Sequence, residues 1–223
     1  MEQERLPRYI VVEGPIGVGK TTLVRRLGEL LQARTILEIF EENPFLPDFY
    51  RDRERHAFQT EMFFLLSRFR QQETFAQEEL FARFTISDYL FVKCRLFASM
   101  TLSEHERALF DKVYTILTRN VPVPDLVIHL HAPVPVLMER IQQRGRAYER
   151  QVDRGYMEQL TDVYGEYFGG YTATPLLSVD TTHINFHEDA ALELLLTEMA
   201  ATMDSGRRAL SGTSSDPIQG TLS

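Results

Sequence analysis

The residues best equipped for chemistry stand together near the start of the chain. Gly14 to Thr21 spells GPIGVGKT, a match to the pattern G-x-x-x-x-G-K-[ST]. Main-chain N–H groups of such a loop wrap a phosphate, and the N-terminus of a following helix adds a favourable dipole. Gly14, Pro15, Ile16, Gly17, Val18 and Gly19 would form the cradle, with Thr22 just behind it. Lys20 would reach the outer phosphates, and the Thr21 hydroxyl would bind Mg²⁺. The implied ligand is a nucleoside triphosphate. Whether its phosphoryl group goes to water or to an organic acceptor is left open by the loop. No guanine-reading N-K-x-D is present, and the apolar stretch DLVIHLHA ends in His131 and Ala132, not in the aspartate of an ATPase motor. His129, His131 and His183 lack zinc-ligand spacing.

A phosphate loop works only between a strand and a helix, and both are legible. YIVVE at 9–13 reads as a buried strand, and Leu23, Leu27, Leu30 and Leu31 recur at helical spacing after it. Further strands are expected at 34–40, 84–89, 125–132 and 176–181. Helices are expected at 54–79, 90–101, 103–120, 134–144, 156–168 and 188–203. Ser103 and Glu106 have the spacing of a capping box. Strands alternating with helices specify an α/β fold, a parallel sheet of about five strands with helices on both faces. Residues 204–223, rich in Ser, Gly and Thr, offer little to bury and read as a disordered tail.

The 223 residues suit one domain with a full core. A net charge of −8 argues against a nucleic-acid polymer as partner, though it leaves room for a local basic pocket. The charged opening MEQERLPR has no apolar leader core, and no apolar run reaches about 18 residues, so no membrane span is expected. Cys94 is the single cysteine, which fits a reducing, cytoplasmic setting.

The phosphate loop, E-x-x-x-ENPFL-x-x-FY, FQTEMFFLLSR, SDY, PDLVI, ERIQQRGR and VDT together resemble the deoxyribonucleoside kinase family, in particular its bacterial deoxyadenosine/deoxyguanosine kinase branch. The resemblance covers about Tyr9 to about Asp189. It implies a three-layer P-loop kinase fold with a short arginine-rich lid over residues 6–203. It also implies ATP and Mg²⁺ as cofactors, a deoxynucleoside acceptor and a homodimer. Glu38, expected to end the second strand, matches the carboxylate that takes the proton of the acceptor 5′-hydroxyl; Glu41 and Glu42 compete for that role. Tyr50 and the lid residue Glu149 match groups that bond the sugar 3′-hydroxyl. Glu61 falls where many relatives carry a base-reading glutamine, and Arg68 shares its helix face; Gln59 sits off that face. An ionised glutamate there would only accept hydrogen bonds. Asp88 matches the acidic residue beside the metal and the transferring phosphate. The arginine that usually follows is Tyr89 here, and Lys93 is the candidate replacement for its charge. Arg140, Arg144 and Arg146 resemble the lid arginines that neutralise the phosphoryl group, and Asn185 and Phe186 lie where the family contacts adenine. A nucleoside-monophosphate kinase of the thymidylate kinase type and a non-catalytic nucleotide-binding subunit remain as alternatives.

Overall fold

The structure, a computed structural model, describes residues 6–78 and 83–212. Its strands are β1 (Tyr9–Glu13), β2 (Arg34–Ile36), β3 (Thr85–Ser87), β4 (Leu126–His131), β5 (Leu176–Asp180) and β6 (Arg207–Ser211). The helices are α1 (Lys20–Leu31), α2 (Leu46–Arg51), α3 (Arg53–Glu78), α4 (Lys93–Thr101), α5 (Glu104–Leu117), α6 (Val134–Arg144), α7 (Arg154–Gly169) and α8 (Asp189–Ser205). All strands are parallel, in the order β2-β3-β1-β4-β5-β6. The central strands carry helices on both faces, so β1 is buried over its whole length and β4 over all but its last residue. The α/β expectation holds, and the Ser103–Glu106 capping box opens α5 as its spacing predicts.

Two expectations need correction. The second strand stops at Ile36, not at residue 40. The chain leaves the sheet there because the Glu38 N–H is taken by Asp88 Oδ1 at 2.7 Å, after which residues 40–42 form a helical turn. The disordered tail does not begin at 204. The last helix runs to Ser205, and Arg207–Ser211 adds a sixth strand beside β5. Its side chains are mostly exposed, which is why no apolar pattern announces it. Main-chain pairing holds it, together with Arg207, which donates to the carbonyls of Phe168 (2.8 Å) and Tyr171 (3.2 Å) at the end of α7. Residues 213–223 of that segment lie outside the described residues.

In an open parallel sheet, ligands sit beyond the carboxyl ends of the strands. Here those ends are Glu13, the segment after Ile36, Asp88, His131 and Thr181, and the polar residues singled out from the sequence cluster around them.

Candidate active site

The phosphate loop joins β1 to α1. Two of its glycines have backbone conformations and neighbours that a side chain would not allow. Gly14 has φ +155°, and a Cβ there would lie 2.2 Å from the Leu130 carbonyl oxygen; Gly17 has φ +84°, with its Cβ 2.9 Å from the Leu137 carbonyl oxygen. Glu13, fully buried, fixes the start of the loop. Its Oε1 accepts from the Gly14 N–H (2.8 Å) and the Tyr164 hydroxyl (3.0 Å), and its Oε2 accepts from the Leu90 N–H (2.7 Å). Sequence reasoning missed Glu13, although a glutamate closing an apolar strand just before a glycine was a visible signal.

Lys20 Nζ donates to the carbonyls of Gly14 (2.7 Å) and Pro15 (2.9 Å). Burial, with the Lys93 ammonium nearby, lowers its pKa to about 8. Thr21 Oγ1 donates to Asp88 Oδ2 at 2.8 Å. The hydroxyl and the carboxylate therefore stand together as hard oxygen ligands, the kind Mg²⁺ takes when phosphates complete its shell. Asp88 is not a helix cap, since α4 begins at Lys93.

Two cavities meet at this loop. The larger, of about 1030 Å³, is lined by Gly17 to Thr22, by Arg25, Arg26, Arg140, Arg144 and Arg146, and by the 181–187 segment with Asn185 and Phe186. Five arginines and Lys20 against Glu29 make it a local basic pocket in an acidic chain. The second is narrower and holds Ile16, Glu38, Tyr50, Glu61, Arg68, Asp88, Lys93, Glu149 and Tyr156. Gly17, Lys20, Thr21, Arg144 and Arg146 line both. Anything bound in one cavity faces anything bound in the other across the lysine and two arginines.

The second cavity is organised around Glu38. Arg68 donates to Glu38 Oε1 through Nε (2.7 Å) and through Nη2, and Lys93 donates to Oε2 at 2.6 Å. Burial alone would raise the Glu38 carboxyl, but the Arg68 guanidinium and the Lys93 ammonium outweigh it and hold it well below the usual carboxylate range. Lys93 thus brings a positive charge into the site where Tyr89 replaces the family's arginine. Glu41 and Glu42, the competing candidates, are exposed and line neither cavity, whereas Glu38 lines the second.

Glu61 is 2% exposed and accepts from, or donates to, the Thr101 hydroxyl at 3.2 Å. Burial pushes its carboxyl up to about 7 against the pull of Arg68. An ionised Glu61 would only accept hydrogen bonds; near neutrality burial brings this group to the edge of protonation. Gln59 is corrected, because it hydrogen-bonds His56 Nδ1 (2.8 Å) and lines neither cavity. Tyr156 lines the second cavity, and its buried hydroxyl has no hydrogen-bond partner among the described residues, so a polar ligand has a group to meet there.

The arginine segment is only partly as expected. Arg144 pairs with Glu149 through Nε (3.0 Å) and Nη2 (2.5 Å), and Arg146 lies 3.6 Å from the same carboxylate and over the Phe40 ring. Arg140, in contrast, donates to Thr181 Oγ1 (2.9 Å) and to the Thr181 carbonyl (2.6 Å), tying α6 to the end of β5. Pro15 faces away from both cavities and lines a third one with His129 and His131. Of these, His129 stacks on Phe168 at 4.2 Å, and burial lowers its pKa to about 3; it is a core group.

The deoxynucleoside kinase profile matches residues 10–202. The chain belongs to the deoxynucleoside kinase family. Deoxyguanosine kinase of Bacillus subtilis (strain 168) is 40% identical over 157 residues, covering 70% of this chain and 76% of the relative. Deoxyadenosine/deoxycytidine kinase of the same organism is 29% identical over 218 residues, covering 93% and 100%. A structure of deoxyadenosine kinase from M. mycoides with bound dCTP shares the fold, with a TM-score of 0.74 at 22% identity over 86% of this chain and 99% of that one. The chain is thus a kinase that phosphorylates deoxynucleosides, in the bacterial branch of the family.

Proposed function

We propose that this kinase transfers the γ-phosphoryl group of ATP to the 5′-hydroxyl of a purine deoxynucleoside, giving the 5′-monophosphate and ADP for nucleotide salvage in the cytoplasm. The observation that carries the reading is the shared wall. A basic cavity fit for a triphosphate and a narrower cavity that holds the Glu38 carboxylate meet at Lys20, Thr21, Arg144 and Arg146. The adenine of ATP lies toward Asn185 and Phe186, and its phosphates lie on the loop. Mg²⁺ held by Thr21 and Asp88 would neutralise charge on the transferring group. Glu38 accepts the 5′-hydroxyl proton, Tyr50 and Glu149 take the 3′-hydroxyl, and Glu61 meets the base edge. Arg144 and Arg146 stabilise the equatorial oxygens and help exclude water.

Purines are favoured because adenine and guanine present an exocyclic amine to Glu61, whereas thymine presents one N–H between two carbonyls. The expected discrimination against thymidine is about 1–3 kcal/mol, the cost of buried polar groups left unpaired. A panel of nucleosides and nucleoside monophosphates incubated with ATP tests the reading. Phosphorylation of deoxyadenosine and deoxyguanosine is expected; a preference for monophosphates would establish the thymidylate-kinase-type alternative instead. That alternative requires free cations around an acceptor phosphate, and Arg68 and Lys93 are both bonded to Glu38.

A homodimer is part of the proposal. Leu66 on α3 and Leu109 and Ile116 on α5 are 50%, 52% and 63% exposed, apolar surface that a second copy would cover. Light scattering at micromolar concentration is expected to give about twice the 25.8 kDa chain mass, and a particle of 25.8 kDa alone would refute the dimer.

A further inference from the structure

Glu61 has few partners for a buried carboxyl. On its own helix, Arg68 directs Nε and Nη2 to Glu38 and Nη1 to Cys94 Sγ (3.1 Å). From α4, Lys93 is bonded to Glu38, and the Cys94 thiol is buried beside them. Glu38 itself faces Glu61 with like charge from the segment after β2; across the cavity stand the phenol of Tyr156 from α7 and, from α6 and the segment after it, Arg144 and Arg146 with their partner Glu149. The one hydrogen bond to Glu61 among the described residues is with Thr101 Oγ1.

That hydroxyl lies 3.2 Å from Glu61 Oε1 and 2.9 Å from the Phe97 carbonyl oxygen. A hydroxyl has one proton, and a carbonyl only accepts. With the proton on the shorter contact, toward Phe97, Thr101 Oγ1 turns a lone pair to Glu61. The Glu61 contact is then a hydrogen bond only if Oε1 carries a proton. Rotation of the Thr101 hydroxyl toward Glu61 supplies the donor that the ionised form needs. Thr101 therefore satisfies Glu61 in either protonation state, so titration leaves no buried group unpaired at this contact.

We infer that Glu61, which lines the second cavity with Thr101 as its one hydrogen-bond partner among the described residues, reads the nucleobase either as a carboxylic acid or as a carboxylate, and that this proton selects between adenine and guanine. The inference rests on the reading of the second cavity as the nucleoside site. With adenine bound, the acid carries its proton on Oε2 and donates to adenine N1, while Oε1 accepts from the N6 amine and from the Thr101 hydroxyl, now rotated away from Phe97. Loss of the proton sets an anionic oxygen against the N1 lone pair, which disfavours adenine. Guanine presents N1–H and N2–H₂, both donors, so the carboxylate pairs with it through both oxygens. A carboxyl raised by burial to about 7 makes this exchange within a pH range where protein and bases are otherwise intact.

The test is kcat/KM for deoxyguanosine and deoxyadenosine with the full chain and ATP, from about pH 6 to about pH 8.5. The ratio of the two cancels whatever titration acts on phosphoryl transfer itself. It is expected to rise toward deoxyguanosine by about tenfold or more, because the acid fraction falls about tenfold per pH unit above its midpoint. In Glu61→Gln the ratio should be flat and shifted toward deoxyadenosine. A flat ratio in the wild type, or an equal rise in Glu61→Gln, overturns the inference. Carbon-13 NMR of the glutamate carboxyls gives a second readout: one carboxyl titrating near 7, missing in Glu61→Gln. If every glutamate carboxyl titrates in the ordinary range, the inference fails whatever the rates. A chain that phosphorylates neither nucleoside at any pH overturns the functional reading and this inference with it.

Discussion

Lys20→Ala is expected to lower kcat with ATP by at least about a hundred- to a thousandfold, the cost of removing a preorganised donor from a developing charge. Its melting temperature should stay within a few degrees of wild type. The Lys20 ammonium contributes little packing; its two bonds are to carbonyls of its own loop, and its lowered pKa records an unfavourable burial that the substitution relieves. Steady-state turnover beside a thermal melt separates the two effects. Turnover within a few-fold of wild type would remove the loop from the mechanism.

Glu38→Gln is expected to lower kcat by about 10²–10⁴-fold, the range for a general base, with a much smaller change in KM. Unlike Lys20→Ala, it should also cost stability. Glu38 neutralises two buried cations, and an amide offers them one oxygen and an NH₂ that repels the other, so a loss of about 1–3 kcal/mol follows. The pairing has a catalytic side as well. A carboxylate held so far toward its ionised form is a weak base, so in its proposed role Glu38 would take the proton late, in keeping with a loose transition state of phosphoryl transfer. A Glu38→Gln enzyme with near wild-type kcat would return the role of base to another group, and Glu42→Gln, changed at an exposed position, is the control that should be silent.

Much of this was legible in the sequence because it lies in local pattern. The phosphate loop, the order of strands and helices and the capping box all depend on neighbours within one or two turns. Glu38, Tyr50, Glu61, Arg68 and Glu149 do converge on one cavity. What stayed hidden depends on distant partners. Glu13 is visible as a glutamate closing an apolar strand, but its task of fixing the loop shows only once Leu90 and Tyr164 stand beside it. Arg140 has the right spacing for the lid and lines the larger cavity, but its bonds to Thr181 at the end of β5 could not be read from spacing. Gln59 and Glu61 are two residues apart on a helix, so they diverge by about 200° in direction, and only the packing of α3 says which one turns inward. β6 is held by main-chain bonds that no side-chain periodicity reveals.

With Arg144 and Glu149 in their proposed roles, their pairing would tie the two substrates together energetically. Arg144 borders both cavities, and Glu149 borders the second one alone. A triphosphate that draws Arg144, and with it Arg146, toward itself would release Glu149 to accept from a sugar hydroxyl. A nucleoside that engages Glu149 likewise releases Arg144 toward the phosphates. The free energy of breaking that ion pair is then met once by two ligands instead of twice. By thermodynamic linkage, the factor by which the triphosphate tightens nucleoside binding equals the factor by which the nucleoside tightens the triphosphate. On the proposed assignment, positive cooperativity between unlike substrates is the expected consequence of this one side-chain contact, favouring occupation of both cavities over occupation of either alone.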